Sequence, residues 1–284
     1  MVRAKKILIL DLDNTLYDWI TYYARSFRAM LTVLERLSGV KEEILIAEFK
    51  AIHQKHHSSE YAFSIQELPS LQKRHPQKTP AELITYYWEA VVQFRRTREK
   101  CLKLYPGVRD TIQKLHQAGV RITGHSDAME YYAVRRLQRL GLANYFDCLY
   151  VAREHALPSY LHPQKIDHQK EQRYNPPVRS LSVDQHKPNP SILRRILADF
   201  SMQPTEAVLV GDSLKRDVYM AQTVGVYAVW AHYGTYFSAD DFSLLVAITH
   251  WTEQDIQREL HVSEDVKPSL TIEHFSEIER LFED

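Results

Sequence analysis

At 284 residues the chain is long enough to bury a substantial core, as one large domain or as a core with a smaller second one. Its 36 basic and 36 acidic residues leave a formal net charge of +0, which gives no footing for nucleic acid or an anionic membrane surface. Two cysteines, Cys101 and Cys148, argue against a disulfide framework. The apolar run ILIL after Lys5 and Lys6 is too short for a signal segment or a membrane span, so the expected location is the cytoplasm.

Residues 7–10 read as a strand buried on both faces, because they are apolar without alternation. From about 20 to 100 the pattern is helical. Tyr23, Phe27, Leu31, Leu34 and Leu37 recur at helical spacing, with Gly39 as a stop. Thr79-Pro80-Ala81-Glu82 has capping-box form and predicts one long helix through Trp88, Val91 and Phe94. After "LYPGV" (104–108) helices and strands alternate. Helices carry Val108–Leu115, Val134–Leu140, Ile192–Phe200 and Val218–Val224, and strands cover 120–126, 146–151, 207–213 and 226–231. Residues 153–186 read as a long polar loop, and 237–265 as a further helix and connector before "SLTIEHFSEIERLF". The expected architecture is α/β, a doubly wound and mostly parallel sheet built from residues 1–18 and 99–284. A smaller all-helical domain occupies 19–98.

Polar residues stand at three strand ends: Asp11 and Asp13, Ser126, and Asp212. Ligands of an open parallel sheet bind beyond the carboxyl ends of its strands, so these residues are expected to share one crevice. Asp11, Asp13 and Thr15 lie two apart and face the same way if the chain there is extended. Carboxylates gathered in such a place call for a hard cation such as Mg²⁺. Lys187, in "HKPNP", adds a positive charge suited to a phosphate. Asp11 then serves as a nucleophile toward phosphorus, and Asp13 is near enough in sequence to protonate the departing alkoxide.

"DLDNT" (11–15), Ser126, Lys187 and "GDSLKRD" (211–217) resemble, in order and spacing, the four motifs of the haloacid dehalogenase-like hydrolase superfamily. A helical block followed by "YPGV" resembles the subgroup whose helical cap is inserted after the first motif. The resemblance implies that Asp11 is the nucleophile and a Mg²⁺ ligand. It implies that Asp13 is the acid/base and binds the metal through its backbone carbonyl. Ser126 and Lys187 would hold the phosphoryl group, with Thr123 as a competing register for Ser126. Asp212 would be a further Mg²⁺ ligand, with Asp217 and Thr15 in support. Dehalogenase members lack a carboxylate at the position of Asp13, which favours a phosphatase. The expected activity is therefore a Mg²⁺-dependent hydrolysis of a small phosphorylated metabolite, with the cap closing over the site. A phosphotransferase or mutase using the same aspartyl-phosphate, and a non-catalytic binding protein on this scaffold, are the alternatives.

Plainer readings stand beside these. Asp13-Asn14-Thr15 and Ser126-Asp127 suit turns and helix caps, and a lysine before a proline is usually solvated. Asp18 and Trp19 read as a surface acid and a packing ring. His53, His56 and His57 are expected on a solvated helix face, and His155, His162 and His168 on the surface of the 153–186 loop. Arg95, Arg96 and Arg98 form a charge run of the kind that decorates an exposed face.

Overall fold

The computed structural model describes residues 5–155, 158, 160, 174–252 and 265–283. β1 (Ile7–Leu10) ends in the loop 11–18, after which six helices follow: α1 (Trp19–Ser38), α2 (Glu42–Lys55), α3 (Ser64–Glu67), α4 (Pro69–Arg74), α5 (Pro80–Tyr86) and α6 (Trp88–Cys101). Asp18 caps α1 by accepting from Thr21 N–H at 2.9 Å, and Asn14 Oδ1 accepts from Trp19 and Ile20 N–H at 3.1 and 3.3 Å. Caps of this kind are worth about 1 kcal/mol each. The Thr79–Glu82 capping box forms, but the single long helix expected after it is broken at Tyr87. The Tyr87 ring is fully buried there, and its hydroxyl meets His75 Nε2 at 3.1 Å. Burial of that aromatic ring accompanies the break.

The chain then alternates through α7 (Val108–Gln117), β2 (Arg121–Met129), α8 (Glu130–Arg139), β3 (Cys148–Ala152), β4 (Val178–Leu181), α9 (Pro190–Asp199), β5 (Ala207–Gly211), α10 (Tyr219–Val224), β6 (Tyr227–Ala231), α11 (Ala239–Ile248) and β7 (Leu270–Ile272). The seven strands form one parallel sheet in the order β4-β3-β2-β1-β5-β6-β7. β1 lies at its centre, and its four side chains divide between two cores. Leu8 and Leu10 pack with Ile112 of α7 and Val134 of α8, whereas Ile7 and Ile9 pack with Ile192 and Leu193 of α9 and Ala221 of α10. Helices on both faces explain why β1 shows no alternation. The expected doubly wound α/β sheet is thus observed.

Two stretches depart from expectation. The 153–186 segment is not all loop, because Val178–Leu181 form β4 and pair with Leu149–Ala152; residues 161–173, with His162 and His168, lie outside the described residues. Within 237–265, residues 253–264 also lie outside them. The helix α11 does not extend the sheet layer. It packs on α1 and α2, and Leu244, Leu245 and Ile248 join the same buried cluster as Phe27 and Phe49. Burying side chains of this size contributes about 1.5–3 kcal/mol apiece.

That packing also corrects the expectation for His53, which is 1% exposed rather than solvated. Its Nδ1 meets the Ile248 carbonyl and its ring packs against Phe27 and Phe49. His56 stacks on Tyr61 and bonds Glu67, and His57 is exposed. Burial keeps the His53 ring neutral and lowers its pKa from 6.5 to about 4. The unfolded chain therefore takes up this proton before the folded one does. The stability carried by neutral His53 is present above pH 6.5 and drains away as the pH falls toward about 4. His53→Gln is accordingly expected to be less stable than the parent near neutrality, with the gap closing toward about pH 4 in paired urea titrations. A gap independent of pH would contradict it.

Candidate active site

The carboxyl ends of β1 and β5 are adjacent, since Leu10 pairs with Val210. Asp11 follows the first strand and Asp212 lies just past Gly211 at the end of the second. Beyond β5 a single wide turn (Leu214–Val218) carries Asp217 back toward the strand end. One carboxylate oxygen from each of Asp11, Asp212 and Asp217 lies within 4.8 Å of the others. The close return of Asp217 requires a residue without a side chain at 211, because a Cβ there would sit 2.3 Å from Asp217 Cγ.

Lys187 enters this cluster from the segment ahead of α9, with its side chain 2% exposed. Its Nζ donates to Asp11 Oδ1 at 2.6 Å and to Asp217 Oδ1 at 2.8 Å. Its backbone N–H donates to Asp127 Oδ1 at 3.0 Å, which ties the segment to the end of β2. Thr15 donates its hydroxyl to Asp11 Oδ2 at 2.9 Å, so both oxygens of Asp11 are oriented. Burial tends to neutralise Lys187, but Asp11, Asp217 and Asp127 hold it firmly in the charged form. Burial and then the neighbouring Asp11 push the Asp212 carboxyl well above the usual range. Burial raises Asp217 to about 6 against the pull of Lys187. Acids that crowd together and resist ionising lack positive charge, and an all-oxygen donor set suits a hard divalent cation.

Asp13 is set apart from this trio. The chain turns after Leu12, whose carbonyl accepts from Leu16 N–H, instead of continuing extended. Of the three residues expected to face one way, Thr15 reaches Asp11 whereas Asp13 turns to Arg136. Asp13 points to Arg136 of α8, whose Nη1 donates to its two oxygens at 3.0 and 3.3 Å. Its desolvation among the surrounding groups pushes the Asp13 carboxyl up to about 6, with Arg136 opposing. Ser126 is 2% exposed near the end of β2, and its hydroxyl accepts from Ala128 N–H at 3.1 Å. Thr123 lies deeper in the sheet and donates to the Cys148 carbonyl at 2.8 Å.

The family model for haloacid dehalogenase-like hydrolases matches residues 5–225, a span that runs from β1 through α10 and contains every group just described. The chain belongs to this hydrolase family. The glyceraldehyde 3-phosphate phosphatase of Pyrococcus abyssi is 24% identical over 235 residues, covering 81% of this chain and 82% of that protein. Its Pyrococcus furiosus counterpart is 28% identical over 150 residues, covering 53% and 51%. A phosphoglycolate phosphatase of Vibrio vulnificus is 28% identical over 141 residues, covering 50% and 49%. For the last two, this chain spans about half the relative's length. Among solved structures, a 2-haloacid dehalogenase from Pseudomonas syringae pv. Tomato superposes with a TM-score of 0.54 at 16% identity, covering 98% of this chain and 97% of that one. That likeness concerns the fold alone.

In this haloacid dehalogenase-like hydrolase several supporting residues escape the sequence reading. Trp230 Nε1 donates to the Asp212 carbonyl at 2.8 Å, and Tyr233 donates its hydroxyl to the Thr15 carbonyl at 2.7 Å. Gly234 lies so close to the site that a Cβ would fall 2.0 Å from the Asn14 carbonyl oxygen and 3.0 Å from Asp212 Cβ. Arg136, which holds Asp13, also pairs with Glu60 from the loop between α2 and α3. For Arg136 a signal was present: it stands on the buried face of α8 with Ala133, Val134 and Leu137. A charge on such a stripe is rarely kept without partners.

Proposed function

We propose that this hydrolase is a Mg²⁺-dependent phosphatase that cleaves a small phosphate monoester through an aspartyl-phosphate. The observation that carries this reading is a buried Asp11 held at both oxygens by Lys187 and Thr15, beside two further carboxylates. The names of the Pyrococcus and Vibrio relatives favour short phosphorylated metabolites as substrates.

Asp11 is the nucleophile. One of its oxygens attacks phosphorus, the bond from phosphorus to the ester oxygen breaks, and the departing alkoxide takes a proton from Asp13. The Asp13 carboxylate then removes a proton from water as that water attacks phosphorus. The bond to Asp11 breaks, phosphate leaves, and both acids return to their starting state. Lys187 neutralises negative charge on the phosphoryl oxygens, and Ser126 supplies a hydroxyl at the neighbouring strand end. Asp217 keeps Lys187 in place. Asp11, Asp212 and the backbone carbonyl of Asp13 would hold Mg²⁺. When bound, the ion relieves the repulsion among the acids and offsets charge on the transferring group. The helical block from α1 to α6 acts as a cap that excludes water and selects the leaving group.

Inorganic phosphate release from a panel of phosphorylated metabolites tests this reading. Release with Mg²⁺ is expected for short phosphate esters, and a chelator in excess is expected to abolish it, with recovery when Mg²⁺ is restored. A chain inert toward every ester, or one equally active under chelation, overturns the proposal.

A further inference from the structure

Arg136 is 2% exposed at its side chain and is shared between two carboxylates from different parts of the chain. Nη1 grips Asp13, on the loop after β1, while Nη2 grips Glu60, which the helical block delivers. The loop bearing Glu60 is itself built rather than loose. Tyr23 donates its hydroxyl to the Ser59 carbonyl, and Ser59 Oγ meets His250 Nδ1 at 2.9 Å. The rings of Tyr22 and Tyr132 flank the guanidinium at 5.3 and 5.9 Å. A buried arginine needs only one carboxylate to be neutralised. Keeping two adds a further buried negative charge, an arrangement that costs stability compared with a simple pair. What the second carboxylate adds is a connection, since one planar fork fixes the Asp13 carboxylate and the seating of the helical block together.

We propose that Arg136 is a positioning residue for Asp13, and that Glu60 makes its grip depend on the helical block being seated against the core. This rests on the reading of Asp13 as the acid/base. Loss of Arg136 leaves the Asp13 carboxylate free to rotate away from the leaving oxygen. Loss of the Glu60 charge leaves the guanidinium anchored at one end only. Neither change touches Asp11, Lys187 or Asp212.

The test compares kcat/KM, which covers only the steps through departure of the leaving group, for two esters in the full chain. Phenyl phosphate expels a basic phenolate that needs a proton, whereas para-nitrophenyl phosphate expels a stabilised anion that needs little help. Arg136→Gln is expected to lower kcat/KM on phenyl phosphate by about tenfold or more, a part of what a full general acid supplies, and to lower it much less on para-nitrophenyl phosphate. Arg136→Lys, whose single ammonium cannot span both carboxylates, should recover only part of the loss. Glu60→Gln is expected to show the same leaving-group dependence more weakly. Added to Arg136→Gln it should cost nothing further, because both act through one guanidinium. Should Arg136→Gln fail to fold, the Glu60→Gln profile decides by the same criterion. Equal losses in kcat/KM on the two esters, or additive losses, overturn the inference. Asp13→Asn separates the two layers. If it lacks the leaving-group dependence, the acid/base reading fails; if it has that dependence and the Arg136 and Glu60 variants do not, only the positioning role fails.

Discussion

Asp11→Asn is expected to lower phosphate release by about 10⁴-fold or more, the scale on which covalent enzymes respond to loss of their nucleophile. An amide oxygen cannot attack phosphorus and then leave it again, so no step of the covalent route survives. The fold should survive. Asn keeps an oxygen where Asp11 Oδ1 accepts from Lys187, and it removes one of three carboxylates whose oxygens lie within 4.8 Å. The lost attraction to Lys187 and the relieved repulsion from Asp212 and Asp217 oppose each other. The thermal midpoint should therefore stay within about 4 °C of the parent, a difference near 1 kcal/mol for a chain of this size. Phosphate release and a melting curve on the same preparation check both halves. Retained activity removes Asp11 from the chemistry, and a collapsed melting temperature makes it a structural residue.

Gly234→Ala is expected to disable the site from outside it. The added methyl would stand 2.0 Å from the Asn14 carbonyl oxygen and 3.0 Å from Asp212 Cβ, and the first of these is backbone that cannot rotate away. Unless the turn at His232–Thr235 withdraws, the loops after β1 and β5 must give way to admit it. These are the loops that carry Asp11 and Asp212. Misplacing catalytic groups by about 1 Å costs on the order of 10²-fold, and overpacking costs about 1–3 kcal/mol. The expected result is a kcat/KM lower by about 10²-fold, together with a higher Mg²⁺ concentration for half-maximal activity. A variant with parental kinetics would show that the two loops yield without consequence.

The sheet, its helices on both faces and the order of the four motif residues were legible because each rests on a local signal. Apolar runs mark β1 and β5, and a polar residue ends each of them. Lys187 could be assigned by motif order although 176 residues separate it from Asp11. The direction of Asp13 was not legible, because it depends on a turn at Leu12 and on an arginine in a later helix. Glu60 and Gly234 were invisible for a similar reason. One is an acid in a polar loop and the other a glycine in "HYGTYF", and only the packing of distant segments gives either a task. β4 was missed because a four-residue edge strand with two exposed side chains lacks the apolar run that betrays β1. His53 was misjudged because the surface covering it comes from α11, almost 200 positions later.

The seating of α11 has a mechanical consequence. The helices α1–α6 join the sheet through 11–18 and 102–107, which run side by side where Tyr17 bridges to Leu104. α11 belongs by sequence to the crossover between β6 and β7, yet it is fastened to α1 and α2 through Leu244, Leu245, the Arg25–Asp241 pair and the bond from Lys50 Nζ to the Val246 carbonyl at 2.9 Å. The helices therefore have a further mooring, anchored in strands at one edge of the sheet. A displacement of α1 and α2 relative to the strands would therefore have to carry α11 along or break these contacts, so the six helices are braced against the sheet by more than their own chain connections.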